Sequence, residues 1–105
     1  MEKMNEITSR VDAMSAAYRR LDAVVKSIEE ALETLEGARA DLDALRHYQE
    51  SGQWLKDFEA DEAGLLPADL KRGVLSEDGV YDVLSDHYAL TVRLLDTVSS
   101  ILKNR

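Results

Sequence analysis

The sequence predicts an all-α fold, and three observations support this prediction. Apolar residues recur at alternating spacings of three and four through the first half of the chain, as they do along one face of a helix. No segment alternates apolar and polar residues in the way a half-buried strand does. The 105 residues include only one Pro and five Gly, which disfavours a fold rich in loops.

The first element is a long helix predicted over residues 2–50. Gly37 lies on its polar face, where a glycine costs only about 1 kcal/mol relative to alanine, so we expect the helix to continue through it, straight or bent. Small or apolar residues also occupy the g positions, so the apolar stripe is wider than a two-stranded coiled coil needs and favours a bundle. The a and d positions of this heptad pattern are Met4, Ile7, Val11, Met14, Tyr18, Leu21, Val25, Ile28, Leu32 and Leu35.

The connector, residues 51–75, breaks this period. Ser51 is a candidate N-cap for a short helix that would end at Gly64, because Ser favours N-caps and Gly favours helix ends. Pro67 at a first helical position and Gly73 as a terminator predict a further one or two helical turns. We therefore expect the connector to contain short helices.

The last element is a helix predicted over residues 76–104, with Ser76 as its N-cap and acidic residues in its first turn. Gly79 stands where a better helix former is expected. Together the elements predict a single domain, residues 1–105, in which two long antiparallel helices form a hairpin or bundle.

The helix lengths predict a homodimer. At 1.5 Å per residue, the first helix would be roughly 70 Å long and the last roughly 40 Å. The excess length would leave apolar side chains in water unless a second copy covers them, and twofold pairing is the commonest way to do so. An alternative is that the connector folds back over them. The candidate interface residues are Met4, Ile7, Val11, Met14 and Tyr18.

The composition excludes several function classes. A formal net charge of -8 disfavours binding to nucleic acid or to an anionic membrane, because both depend on Lys and Arg. The absence of cysteine excludes disulfides and thiolate chemistry. With neither a signal-like apolar run nor a membrane span in the sequence, we expect a cytoplasmic protein.

Two patterns invite a metal or catalytic interpretation, and neither meets the requirements of such a site. Counted from Asp57, an EF-hand loop would need Gly at its sixth position and Glu at its twelfth, where this chain has Glu62 and Ala68. His47 and His87 lack the preceding Glu of the Glu-x-x-His motif found in di-iron bundles. We therefore expect no cofactor, no metal and no enzymatic activity.

The connector carries the candidate contact surface for another protein, because aromatic anchors beside charges are typical of binding hot spots. A structural interpretation is that the aromatics close the open end of the bundle. The favoured function is thus a protein–protein interaction or structural module. The alternatives are an acidic decoy that neutralises a basic partner and, less favoured, a metal-dependent enzyme using the connector's acidic residues. The candidate contact residues are Trp54, Asp57, Phe58, Lys71 and Arg72.

The connector also resembles a family of small bacterial proteins, the domain of unknown function numbered four-two-nine-eight. The resemblance rests on the segment 54–64 and on residues 66–67, 70–78 and Tyr81. It implies a bacterial protein of about this size, with a long helix, this connector and a final helix. It implies no catalytic residues.

Overall fold

The computed structural model describes residues 3–105, and within them the fold is all-α. The elements are α1 (Met4–Gly37), α2 (Arg39–Glu50), α3 (Gln53–Glu62), a 3-10 helix η1 (Gly73–Leu75) and α4 (Gly79–Lys103). The chain divides into two compact units, Met1–Arg39 and Ala40–Arg105. The all-α prediction is confirmed, whereas the single-domain prediction stays a prediction.

The first unit consists of α1, which begins with a polar cap. The Glu6 side chain accepts a hydrogen bond from the backbone N–H of Lys3 at 3.2 Å, which satisfies a donor that the first turn leaves unpaired. Two opposite charges one turn apart, Asp22 and Lys26, are joined at 2.9 Å on the exposed surface. None of the α1 residues, all of which the structure describes, is buried.

The prediction of one helix over residues 2–50 is wrong in one respect, because the helix is interrupted at Ala38. The Ala38 N–H is shared between the carbonyls of Thr34, at 3.1 Å, and Leu35, at 3.2 Å. Such sharing tightens the last turn toward 3-10 geometry. The break therefore directly follows Gly37, where the helix was expected to continue. Residue 2, the predicted start of the helix, lies outside the described residues.

Glycines set the two ends of α3 in the second unit. Gly52 precedes α3 with φ +84°, and Gly64 follows it with φ +73°, in the left-handed region that glycine adopts without strain. At the C-terminal end, Leu65 N–H bonds to the Ala60 carbonyl and Gly64 N–H to the Asp61 carbonyl, each at 3.0 Å, forming a Schellman motif. The predicted end at Gly64 is confirmed.

The prediction that Ser51 is the N-cap of α3 is wrong. Gly52, not Ser51, is the N-cap of α3. The Ser51 hydroxyl still accepts a hydrogen bond from the Gln53 N–H at 3.3 Å, so it satisfies one of the free donors of this first turn.

Two predictions about the connector's second half and one about the start of α4 are wrong. Residues 66–72 form turns and not a helix, with one turn closed by Leu70 N–H on the Pro67 carbonyl at 3.2 Å. Gly73 opens η1 instead of terminating a helix. The N-cap of α4 is Asp78 and not Ser76. The Ser76 hydroxyl instead donates a hydrogen bond to the Gly73 carbonyl at 2.9 Å, which closes η1.

The core of the second unit lies at the junction of η1 and α4. Leu75 and Val80 are the buried apolar residues, with 7% and 5% of their surfaces exposed. The connector places η1 in contact with both α3 and α4. Such a small apolar core contributes little burial energy, so polar contacts have more weight in holding this unit together.

Close packing at this junction explains Gly79. A Cβ at this position would overlap the Ser76 Oγ and lie 3.1 Å from the Gly73 carbonyl oxygen. The close approach of η1 therefore accounts for a glycine at a position that looks unfavourable for a helix start.

We expect Gly79→Ala to destabilise the second unit by about 1–2 kcal/mol, because the steric cost exceeds the helix-propensity gain. Gly37→Ala is the matched control, since a Cβ there meets nothing within 4 Å, and it should raise helicity. Thermal unfolding followed by circular dichroism measures both. A Gly79→Ala variant as stable as the wild type would contradict the packing argument.

Candidate functional site

The connector's two aromatic residues stack on each other. Trp54 and Phe58 lie one turn apart on α3, so their side chains share a face of the helix. Their ring centroids are 5.0 Å apart with an angle of 18° between planes. Both residues are half-buried. The pair contributes contact area that the small core does not supply.

The Trp54 indole also forms a long-range hydrogen bond. Its Nε1–H donates to the Val74 carbonyl at 2.8 Å, a contact between residues twenty positions apart in the sequence. Val74 is in the middle of η1, so this bond ties η1 to α3. Trp54 therefore fixes the path of the connector.

Asp57 accepts hydrogen bonds from two elements. The Tyr48 hydroxyl of α2 donates to Oδ2 at 2.6 Å, and the Gln53 amide donates to Oδ1 at 2.8 Å. The hydrogen bonds from Tyr48 and then Gln53 lower the pKa of Asp57, because they favour its charged form. Burial, the hydrogen bond to Asp57 and the repulsion of its negative charge raise the pKa of Tyr48 to about 12.

Arg72, in the second half of the connector, contacts both α3 and the turns that precede it. Its guanidinium pairs with the Asp61 carboxylate of α3 and donates to the Pro67 carbonyl. Its Nε donates to the Leu70 carbonyl at 3.4 Å. One planar fork of donors thus holds α3 and the turns of residues 66–72 together, a geometry that Lys cannot reproduce.

The structure brings four of the five predicted contact residues into intramolecular contacts and leaves Lys71 exposed. We call the set Tyr48, Gln53, Trp54, Asp57, Phe58, Asp61 and Arg72 the connector clasp. Sequence reasoning missed Tyr48, because nothing in its spacing from Asp57 indicates a contact around the α2–α3 turn. Gln53 could have been found, since Gln and Asp four apart on a helix often bond.

The carboxylates of the clasp already have internal partners. Both carboxylate oxygens of Asp57 accept internal hydrogen bonds, and Asp61 is paired with Arg72. In the part of the chain that the structure describes, His, Asp and Glu side chains do not gather in groups of three or more that could hold a metal ion. His47 is exposed and His87 half-buried. The contacts of the clasp join α3 to α2, to η1 and to the turns of residues 66–72.

The largest exposed apolar feature of the first unit is one face of α1. Its members have between 38% and 78% of their surface exposed, and they include all five predicted interface residues. We call this set the α1 stripe: Met4, Ile7, Val11, Met14, Tyr18, Leu21, Val25, Ile28 and Leu32. Contiguous exposed apolar surface of this kind marks an interaction site more often than single exposed residues do.

Within residues 3–105, no helix combines the length and the apolar character that crossing a membrane requires.

Comparison with known proteins identifies one family. The family model described as a domain of unknown function (DUF4298) matches residues 11–97, which is most of the chain and includes the whole clasp. No curated protein matches the sequence, and no solved structure matches the fold.

We expect Tyr48→Phe to remove the tyrosine that titrates near pH 12. Ultraviolet absorbance of tyrosinate, followed through an alkaline titration of the folded protein, measures this loss. If the Phe variant kept a component with that pKa, the assignment to Tyr48 would be wrong.

The same bond should make stability depend on pH at both ends. Because the folded pKa of Asp57 is lowered, its contribution is present above about 3.8 and is lost as pH falls through the folded value. Because the folded pKa of Tyr48 is raised, its contribution is present below 10 and is lost between 10 and about 12. The stability difference between wild type and Tyr48→Phe, measured by urea unfolding, should shrink in both ranges.

We expect Trp54→Phe to destabilise the protein by about 0.5–1.5 kcal/mol, the net value of one hydrogen bond, because it removes the donor to Val74 while retaining an aromatic ring beside Phe58. Trp54→Ala should cost more, since the stacking is lost too. Leu55→Ala is the control, because Leu55 is 52% exposed. Equal stabilities of Trp54→Phe and wild type in urea unfolding would contradict the structural role of the indole N–H.

Proposed function

Since this chain belongs to the family described as a domain of unknown function, DUF4298, whose description assigns no activity, we propose its function from its own surface. We propose that it is a protein–protein interaction or structural module that associates through the α1 stripe, with a second copy of the chain as partner. The proposal includes no catalysis and no cofactor. The exposure of the nine stripe residues is the observation that carries it.

The energetics support this proposal. Most helices in proteins owe their stability more to the packing of an amphipathic face than to intrinsic helix propensity. More than half of the stripe surface is exposed on average, so covering the nine residues is worth on the order of 10 kcal/mol per copy. Two copies then offset an association cost of about 4–15 kcal/mol.

The width of the apolar surface also supports a bundle. Val24 is 55% exposed and lies beside the stripe at a g position, with Ala17 and Ala31 one heptad away on either side. Small residues at these positions let more than one helix approach α1. The antiparallel hairpin of the two long helices and its completion by a dimer stay predictions from the sequence.

A connector surface that binds another protein is a separate prediction. Its candidate residues are Trp54, Asp57, Phe58, Lys71 and Arg72. Four of them have internal partners, so we favour a structural role for the connector clasp over a contact role.

We expect Leu21→Glu to weaken self-association strongly, because it buries a charge at the centre of the α1 stripe. Ala23→Glu is the matched control: it adds the same charge two residues away, at an f position of the heptad. Sedimentation equilibrium measures the association constants of both variants and wild type.

The expected result is a wild-type dimer at micromolar concentration, an Ala23→Glu dimer of similar affinity and a monomeric Leu21→Glu variant. A wild-type monomer that unfolds cooperatively and independently of concentration would contradict the proposal. Circular dichroism of each variant shows whether the helices are retained.

A further inference from the structure

The charges along α1 are unevenly distributed. Residues 3–20 have a net charge of +2, from four basic and two acidic residues. Residues 21–37 have a net charge of -4, from one basic and five acidic residues. The basic residues of the first segment are Lys3, Arg10, Arg19 and Arg20, and the acidic residues of the second are Asp22, Glu29, Glu30, Glu33 and Glu36.

This asymmetry distinguishes the two ways in which two copies of α1 can pair. A parallel pair in register places the acidic segment of one copy beside the acidic segment of the other, where the charges repel. An antiparallel pair places each acidic segment level with the basic segment of the other copy. Opposite potentials across an interface favour the complementary orientation and disfavour the other.

We infer that α1 pairs with α1 of a second copy in the antiparallel orientation, centred between Arg19 and Arg20. This inference rests on the proposed function and specifies its geometry. In this register Val11 lies opposite Ile28 of the second copy, Tyr18 opposite its Leu21, and Met4 opposite its Leu35.

The heptad pattern fits this register along the whole helix. In an antiparallel coiled coil, each a residue lies opposite a d residue of the partner helix. When the pair is centred between Arg19 and Arg20, every a residue of α1 lies opposite a d residue of the second copy. Beside this seam, Ala17 lies within two residues, about 3 Å along the axis, of the level of Val24 of the second copy. Both are small or apolar, so neither places a charge against the seam near its centre.

Engineered thiols test the orientation directly, because the chain contains no cysteine and each introduced thiol is unique. The single variants are Val11→Cys and Ile28→Cys, one of them carrying a tag that changes its mass. Each is oxidised alone and in an equimolar mixture with the other. Disulfides form only between residues whose Cα atoms lie within about 7 Å, so the products report which residues face each other.

The expected result is a crosslinked heterodimer in the mixture and little crosslinking of Val11→Cys alone, since the antiparallel register separates the two copies of residue 11 by about 25 Å along the axis at 1.5 Å per residue. Efficient crosslinking of Val11→Cys alone would show a parallel pair and overturn the inference. A dimer in sedimentation equilibrium without the heterodimer crosslink would also overturn it while leaving the proposed function standing. A wild-type monomer would overturn both.

Discussion

The central physical constraint on this molecule is the free-energy cost of leaving the apolar face of α1 in water. α1 is 34 residues long, and none of its side chains, all of which are described, is buried. A helix of this kind gains little from intrinsic propensity alone, because the hydrogen bonds of its backbone only replace bonds to water. In the proposed self-association, burial of the nine residues of the α1 stripe supplies this stabilisation. The proposed self-association and its orientation both follow from this requirement.

The second unit also buries little apolar surface, and polar contacts stabilise it instead. Its buried apolar residues, Leu75 and Val80, lie at one junction. Around this junction the chain is held by directional contacts. The Trp54 indole donates to the Val74 carbonyl of η1, the Tyr48 hydroxyl donates to the Asp57 carboxylate, and the Arg72 guanidinium pairs with Asp61. Directional bonds specify a path for the backbone even where burial is modest. The connector clasp is therefore best understood as a device that holds the connector in place.

The clasp also shows how a feature that suggests binding in the sequence can have a structural use. Aromatic and charged residues close together are typical of recognition surfaces, but the same residue types satisfy the backbone of an irregular segment. Trp54 and Arg72 both donate to main-chain carbonyls of the connector. Nothing in the order of residues distinguishes a carbonyl of the same chain from a group on a partner, because the distinction depends on how the connector folds back.

The sequence by itself determined the all-α class, the amphipathic character of α1 and the end of α3 at Gly64, because these depend on local periodicity and on backbone conformations that glycine permits. It also carried the charge asymmetry of α1, which needs no coordinates. Only the tertiary structure decided the break at Ala38, the turns where a helix was expected after Pro67, the bond between Tyr48 and Asp57, and the close packing around Gly79. Each of these depends on atoms brought together from different parts of the chain or on a choice between nearly equal local geometries, and residue order alone does not specify such contacts.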